Sequence, residues 1–334
     1  MRRLINRTKS TGSGESGAAG VMVAVMMLVL IGAGALAVDV GQIYAERAQL
    51  QNGADAGALA VALSCEQGTC NSALADNLAN SNANDSASTA AVDLSVAGQV
   101  TVTTSTKNGS SSFLTNLFAN AINAGPVTVG AQATAGVGLP GSGSGFPLAL
   151  SDNCYNLTSA SQTAEVQKIS YKPGGTCTGP SGTQIPGGWG WLDQSSPCNA
   201  ITHVGTNDMG SNPGNNPPSG CSDILDAWKA TLLAGGEVKV QFPVFDTSTG
   251  TGQGGSFHII GYATFKIWGW KFGNNHQYEF RNSGTDPGMT SALACTGGND
   301  RCVIGQFIEY SAIGSGSTVP GGANLGTSEI RLIK

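Results

Sequence analysis

Eight cysteines are the residues of this chain with the clearest capacity for covalent chemistry. They are Cys65, Cys70, Cys154, Cys177, Cys198, Cys221, Cys295 and Cys302. An even number of cysteines in an exported chain predicts disulfide bonds in an oxidising compartment. Many pairings are open, and we favour sequential pairing because the first two and the last two cysteines are close neighbours. A zinc site is disfavoured, since no Cys-x-x-Cys occurs and no two histidines have ligand spacing.

Motifs for catalysis are absent from the sequence. There is no Gly-x-Ser-x-Gly, His-Glu-x-x-His or phosphate-binding Gly-x-x-x-x-Gly-Lys. The histidines are His203, His258 and His276. The aspartates considered as calcium ligands are Asp193, Asp208, Asp223, Asp246 and Asp300. They form no EF-hand loop, so capping and turn roles are favoured over calcium binding. We therefore predict a protein that is not an enzyme and has no cofactor.

Two tryptophan pairs suggest a binding surface. Trp189 and Trp191, like Trp268 and Trp270, are separated by one glycine. On a strand this spacing puts both indoles on the same face. Such a face could form an aromatic platform for a glycan or for another protein. We favour the alternative, in which the four indoles are buried in a β core, because the chain has only five tryptophans and is poor in aromatic residues.

The charge distribution argues against nucleic acid as a partner. Four of the 16 basic residues lie at the N-terminus, as Arg2, Arg3, Arg7 and Lys9. The chain after residue 38 therefore carries 16 − 4 = 12 basic residues, against 21 − 1 = 20 acidic residues once Glu15 is left out. An acidic body without a basic patch has little to neutralise phosphates.

Residues 18–38 form an uncharged apolar run that is long enough to span a membrane. Its 21 residues, at about 1.5 Å each, cover a hydrocarbon layer of roughly 30 Å. The preceding basic residues place the N-terminus in the cytoplasm and export the remainder. A cleaved signal peptide is the alternative, because residues 35–37 resemble a cleavage site. We favour a permanent anchor, since the helical pattern continues past Asp39.

The helix is expected to extend beyond the membrane. Residues 38–64 contain no proline and are rich in helix-forming residues, so one helix from about residue 18 to residue 63 is predicted. The apolar positions near one stripe are Ile43, Leu50, Ala54 and Leu59. The polar positions expected to lie elsewhere are Glu46, Arg47, Gln51 and Asp55.

Small residues recur along this helix at intervals of four. The proposed packing positions are Ala33, Ala37, Gly41 and Ala45. Gly53 and Gly57 would allow another backbone to approach closely. The alternative is a simple alanine-rich stalk.

The order of motifs around this helix is specific. Glu15 precedes the span, Ala-Val-Asp-Val-Gly follows at 37–41, then come Tyr44, the pair Glu46-Arg47 and Gln-Asn-Gly-Ala-Asp-Ala at 51–56. In this order and spacing, residues 15–63 resemble the N-terminal module of Tad-type (Flp) pilus-assembly proteins of the TadG-like and TadE-like group. The resemblance implies a membrane-anchored component of a surface pilus or adherence apparatus, with other pilus-assembly proteins as partners.

Two family features are missing. The string nearest to a von Willebrand A metal motif, at 93–97, ends in alanine instead of serine. The apolar span contains no glutamate of the kind that a prepilin carries. We therefore expect neither a von Willebrand A domain nor processing as a pilin subunit.

The exported region is predicted to be β-rich. Strands are expected at 92–106, 126–129, 238–245, 257–272, 302–313 and 328–333, and helices at 113–122 and at 222–233 with Ser222 as N-cap. The predicted organisation is a cytoplasmic segment 1–17, a transmembrane helix 18–38, a stalk helix with a first α+β unit 39–135, a Gly/Ser linker 136–145 and a second, β-rich unit 146–334. The predicted fold class is α+β with disulfide bonds.

These features predict a single-pass membrane protein of Tad/Flp pilus assembly or surface adherence that acts by non-covalent helix packing and ectodomain binding. A surface-anchored adhesin or carbohydrate-binding module that uses the tryptophans is the alternative. A secreted hydrolase would need a catalytic site that the sequence does not display.

Overall fold

The computed structural model describes residues 16–107, 118, 123, 125–152, 154, 157, 166–171, 177–178, 184–185, 189–206, 209–210, 216–249, 255–273, 276–295, 300–313 and 321–333. Their contacts separate two compact units. The first comprises Met1–Val61, Asn71–Leu94 and Thr101–Thr134, and the second Ala62–Cys70, Ser95–Val100 and Ala135–Lys334. The predicted basic N-terminus, and the predicted helix at 113–122 apart from Phe118, lie outside the described residues.

The longest element is helix α1, Ser16–Glu66. It contains no proline, and its alanine, leucine and glutamine residues favour a helix. The helix continues without a break through residues 35–37, the site of the alternative signal cleavage. It ends at a tight turn in which Gly68 has a φ of 88° and donates its N–H to the Cys65 carbonyl at 2.9 Å. The predicted single helix is confirmed.

The first unit packs one face of α1 against a second helix and a small sheet. Its other elements are α2 (Ala73–Asn82), β1 (Ser88–Asp93), β2 (Gln99–Thr106) and β3 (Gly130–Gly138), of which β3 ends in the second unit. β1 and β2 are antiparallel, with Ser88 opposite Thr106 and Asp93 opposite Thr101. The Thr104 hydroxyl donates a 2.9 Å hydrogen bond to the Leu50 carbonyl, which fixes β2 against the helix.

Glycines bring α1 and α2 into close contact. A Cβ on Gly53 would lie 2.9 Å from the Cα of Ala79, and one on Gly57 would lie 3.2 Å from the Cα of Ala75. Only residues without side chains allow this separation of the two helix backbones. The expected close approach at Gly53 and Gly57 is present, and its partner is α2 of the same unit.

In its described residues, the second unit contains the end of α1, a series of strands and one further α-helix. The elements are β4 (Ser142–Gly145), β5 (Leu148–Ser151), β6 (Gln167–Ser170), β7 (Cys177–Thr178), β8 (Gln184–Ile185), β9 (Trp189–Trp191), β10 (Ala200–His203), β11 (Met209–Gly210), α3 (Cys221–Leu233), β12 (Val238–Thr249), β13 (Ser256–Lys271), β14 (Glu279–Phe280), β15 (Cys302–Ile308), β16 (Tyr310–Ile313) and β17 (Thr327–Leu332). A 3-10 turn covers His276–Tyr278.

Its main sheet has the order β6-β15-β13-β12-β5-β9, with β11 and β14 also pairing with β13. The centre is the antiparallel pair β12 and β13, in which Val238 lies opposite Ile267. Elsewhere β17 pairs in parallel with β16 and antiparallel with the end of β3, while β4 pairs with β10 and β7 with β8. The mixed α+β class is as predicted.

Aromatic side chains fill the core of this unit. Phe146, Phe242 and Phe272 are buried between the sheet and α3, and the Phe146 and Trp228 rings lie 4.7 Å apart. α3 contributes Leu225 and Leu232. Its first residue follows Gly220, whose φ is 84°, so the prediction of Ser222 as N-cap is wrong.

Several predicted boundaries also differ from the structure. The strands expected at 238–245, 257–272 and 328–333 are present. The expected strand 302–313 is divided into β15 and β16 at Glu309, and the expected strand 92–106 is divided between β1 and β2 by a turn at Gly98. Residues 126–129 form no named strand. The linker predicted at 136–145 is wrong, because Gly136–Gly138 belong to β3 and Ser142–Gly145 form β4. The glycine and serine residues of these two segments pair through their backbones with β17 and β10, instead of forming a flexible connection.

Candidate functional site on the amino-terminal helix

The first part of α1 is apolar and fully accessible. The helix is long and apolar enough to cross a membrane once, and none of its most apolar window is buried within the protein. Val21, Leu28 and Ile31 are each more than half exposed. A helix that leaves such a surface uncovered in water needs lipid or protein around it, which is consistent with a single-pass membrane anchor.

The four predicted packing residues lie on this accessible part of the helix. Ala33, Ala37, Gly41 and Ala45 are all exposed. Among the described residues, nothing lies within 4 Å of a Cβ placed on Gly41. The stripe is therefore available for contact with another helix, and its use for packing stays a prediction.

Asp39 marks the start of the folded first unit. Its side chain is almost fully buried, with 4% exposure. Its carboxylate accepts a hydrogen bond from the backbone N–H of Phe118, at 3.1 Å to Oδ1 and 3.3 Å to Oδ2. The helix is thus attached to the rest of the unit at the first residue after the apolar run, which leaves no separate stalk between them.

Glu46 lies on the buried face of α1, so its predicted position away from that face is wrong. Its exposure is only 7%, and it shares the buried face with Leu50 and Ala54. Burial raises the pKa of the Glu46 carboxyl, and the nearby negative charge of Asp85 raises it further. α2 packs on this face at Gly53, and β2 contacts it at Leu50, whereas the apolar stripe alone did not reveal that Glu46 belongs to it.

Three of the predicted disulfides are present. Cys65 pairs with Cys70, Cys198 with Cys221 and Cys295 with Cys302. Cys154 is also disulfide-bonded, while the side chain of Cys177 lies outside the described residues, so its pairing with Cys154 stays a prediction. The first bridge closes the turn directly after α1.

The possible surface platform of tryptophans is not present, and the favoured interpretation, burial in the core, holds for three of the four indoles. Trp189, Trp191 and Trp270 are at most 3% exposed, and Trp268 is half-buried with its indole nitrogen fully covered. The rings of Trp189 and Trp191 lie 5.2 Å apart and both contact Phe272. Same-face spacing was correct for this pair, but the shared face is the core, because indoles contribute the largest apolar area to bury.

Two titratable residues of the second unit, His258 and Asp246, form a pair. His258 Nδ1 lies 2.7 Å from Asp246 Oδ1, and the Thr247 hydroxyl donates to the same oxygen. Burial and the charge of Asp246 raise the pKa of Asp152. Within the described segments, no group of three or more His, Cys, Asp or Glu residues is placed to hold a metal ion.

A polar cavity of about 560 Å³ lies within the second unit. Glu66, the last residue of α1, faces two serines there, with Oε2 at 3.4 Å from the Ser311 hydroxyl and 3.5 Å from that of Ser328. The two hydroxyls are 2.6 Å apart, because Ser311 and Ser328 are opposite each other in β16 and β17. The sequence offered no signal for this cluster, since its members are 245 and 262 positions from Glu66.

Comparison with known proteins finds one family model that matches the helix. The Tad family model, described as "Putative Flp pilus-assembly TadE/G-like", matches residues 17–64. The match covers α1 almost from end to end, including Asp39, Glu46 and the glycines that contact α2. No curated protein and no solved structure matches the chain.

Proposed function

We propose, on the premise that residues 17–64 are a Tad-type module, that this protein is a membrane-anchored component of Flp pilus assembly. The observation that carries the proposal is that the matched helix has two different halves. Its first half is apolar and uncovered, and its second half forms the core of a folded unit through Leu50, Ala54 and Gly53. Such a helix couples a bilayer to an exported body.

The work of this component is non-covalent. Lateral contacts between helices in lipid depend on small residues that allow backbones to approach. Ala33, Ala37, Gly41 and Ala45 provide such a stripe, and no described residue of this chain covers it. We assign the stripe, of which Ala33 and Ala37 lie within the apolar run and Gly41 and Ala45 just beyond it, to packing against the helices of other pilus-assembly proteins.

The orientation follows from charge and cysteine placement. Arg2, Arg3, Arg7 and Lys9 precede the apolar run, and positive residues favour the cytoplasmic side. All eight cysteines follow the run, and disulfides persist in oxidising compartments. The N-terminus is therefore assigned to the cytoplasm and the chain after residue 38 to the outside of the cell membrane, where it presents a binding surface to assembly partners.

A glycan-binding adhesin loses its basis, because three of the four tryptophans that would have formed its surface are buried and the fourth, Trp268, is half-buried. No second function is proposed in its place.

Deletion of the gene in the native host tests the proposal. We expect loss of surface pili and reduced membrane levels of other Flp assembly components, both restored by the wild-type chain. Normal pili and normal levels of those components in the deletion strain would contradict a role in assembly. A chain that lacks residues 1–38 serves as the control, because it keeps the exported body without the membrane-spanning part of the helix.

A further inference from the structure

The position of Phe118 relative to the membrane is set by the helix. Residues 18–38 carry no charge, and Asp39 is the first charged residue after them. Because 21 helical residues cover about 30 Å, Asp39 lies where the hydrocarbon layer meets the lipid headgroups. The hydrogen bonds from the Phe118 N–H to the Asp39 carboxylate hold Phe118 at the same level.

At that level Phe118 is an exposed aromatic residue. Its exposure is 46%, and the flanking helix residues Val38 and Val40 are 51% and 46% exposed. In water, an aromatic ring in this position would leave apolar surface exposed. In the interfacial region of a bilayer, the same ring is stabilised by contact with lipid. Phe118 itself is uncharged, so its contact with lipid buries no charged side chain.

Tyr44 provides a second aromatic residue near the same boundary. It is 71% exposed and follows Asp39 by five residues, which places it roughly 7.5 Å farther along the helix axis. That distance corresponds to the headgroup region, where tyrosine combines an apolar ring with a hydroxyl in water.

The geometry points to a bilayer-contact surface on the first unit, formed by Phe118 and Tyr44 around the end of the membrane helix. Its occupant is the lipid of the membrane that α1 crosses, because the surface is continuous with the apolar run through Val38. The first unit is thereby seated on the membrane instead of being held away from it. This inference rests on the proposed membrane anchoring.

Leu94 supplies a matched control position. It is 43% exposed and apolar, like Phe118, and belongs to the same unit. The preceding residue, Asp93, lies opposite Thr101 in the β1–β2 pair. The residue after Thr101 is Val102, whose side chain lies close to Gly57 of α1. Gly57 is 18 residues beyond Asp39, or about 27 Å along the helix, so Leu94 is far from the lipid.

The test uses the full chain reconstituted in phosphatidylcholine and phosphatidylglycerol vesicles. A benzophenone amino acid replaces Phe118, Leu94 or, as a reference within the membrane span, Leu28, and lipid adducts are quantified by mass spectrometry after irradiation. We expect adducts at position 28 and at position 118, with position 118 several-fold above position 94. Asp39→Ala should reduce the adduct at position 118 and leave that at position 28 unchanged.

The outcomes separate this inference from the anchoring on which it rests. Adducts at position 28 with equal, low values at positions 118 and 94 would overturn the bilayer-contact surface while the anchor stands. Absence of adducts at all three positions would overturn both. Protein crosslinks at position 118 in native membranes, without lipid adducts, would assign the surface to a protein partner and contradict the inference.

Discussion

The Cα of Ala79 lies 2.9 Å from the point that a Cβ on Gly53 would occupy. This distance is shorter than any normal carbon–carbon contact, and it involves a backbone atom that cannot rotate away. The α1–α2 contact, and with it the first unit, therefore depends on glycine at position 53.

Gly53→Ala should destabilise the first unit. Alanine gains about 1 kcal/mol of helix propensity, but overpacking against a fixed backbone costs roughly 1–3 kcal/mol, so the clash is expected to win. Hydrogen exchange of the α2 amides measures the effect in the full chain in detergent. Gly41→Ala is the matched control, because nothing described lies within 4 Å of its Cβ, and it should leave exchange unchanged or slow it. Equal behaviour of the two variants would contradict the close helix contact.

Glu46→Gln should stabilise the first unit at neutral pH. Because the folded-state pKa of Glu46 is raised, its protonated form favours folding at low pH, and this stability is lost as the pH rises through that pKa. Glutamine keeps the shape without ionising, so the variant should gain at pH 7 and match the wild type near pH 4. Hydrogen exchange of the α2 amides, followed as the temperature is raised, compares the stability of the variant with that of the wild type at each pH. Asp85→Asn should shift stability in the same direction by less, and destabilisation of Glu46→Gln at pH 7 would argue against a desolvated carboxylate.

Native tryptophan fluorescence should resist acrylamide. Three of the five indoles are at most 3% exposed, so quenching should be several times weaker in the native chain than after reduction and denaturation. Trp228 on α3 is half-buried and is therefore more accessible to acrylamide than the buried indoles. Trp228→Phe should weaken quenching of the native chain further. Quenching as strong in the native as in the denatured chain would restore the surface platform.

Removal of the Cys198–Cys221 bridge should cost more stability than removal of Cys65–Cys70. The two bridges span 23 and 5 residues, for which loop-closure entropy predicts about 3 and about 2 kcal/mol. Paired Cys→Ala variants keep the remaining bridges intact and avoid free thiols. Calorimetry of the two double variants supplies the ranking, and the reverse order would show that loop entropy does not dominate.

The sequence predicted the long helix well because its signals are local. The absence of proline from residue 18 to residue 64, the lack of charge up to Val38 and the spacing of Gly53 and Gly57 each act within a few turns. The three observed disulfides also join neighbouring cysteines. Such features need no knowledge of the rest of the fold.

Contacts between distant segments were outside the reach of the sequence. Glu46 is an ionisable residue and was expected off the buried face, but its exposure is only 7%. The Glu66 cluster joins serines more than 240 positions away. For the tryptophans, the spacing fixed the shared face of Trp189 and Trp191 without indicating which face was the core. Only the aromatic neighbours Phe146 and Phe272 decide that point.

The most direct test of membrane-helix packing in pilus assembly is quantitative mass spectrometry of the chain purified from detergent-solubilised native membranes. Wild type should co-purify with other Flp assembly proteins. Gly41→Leu should lose them several-fold, because it adds bulk to the small-residue stripe, while Val40→Leu, off that stripe and 46% exposed at the native valine, should retain them. Recovery of the chain without any Flp component, or equal recovery with both variants, would contradict the proposed role.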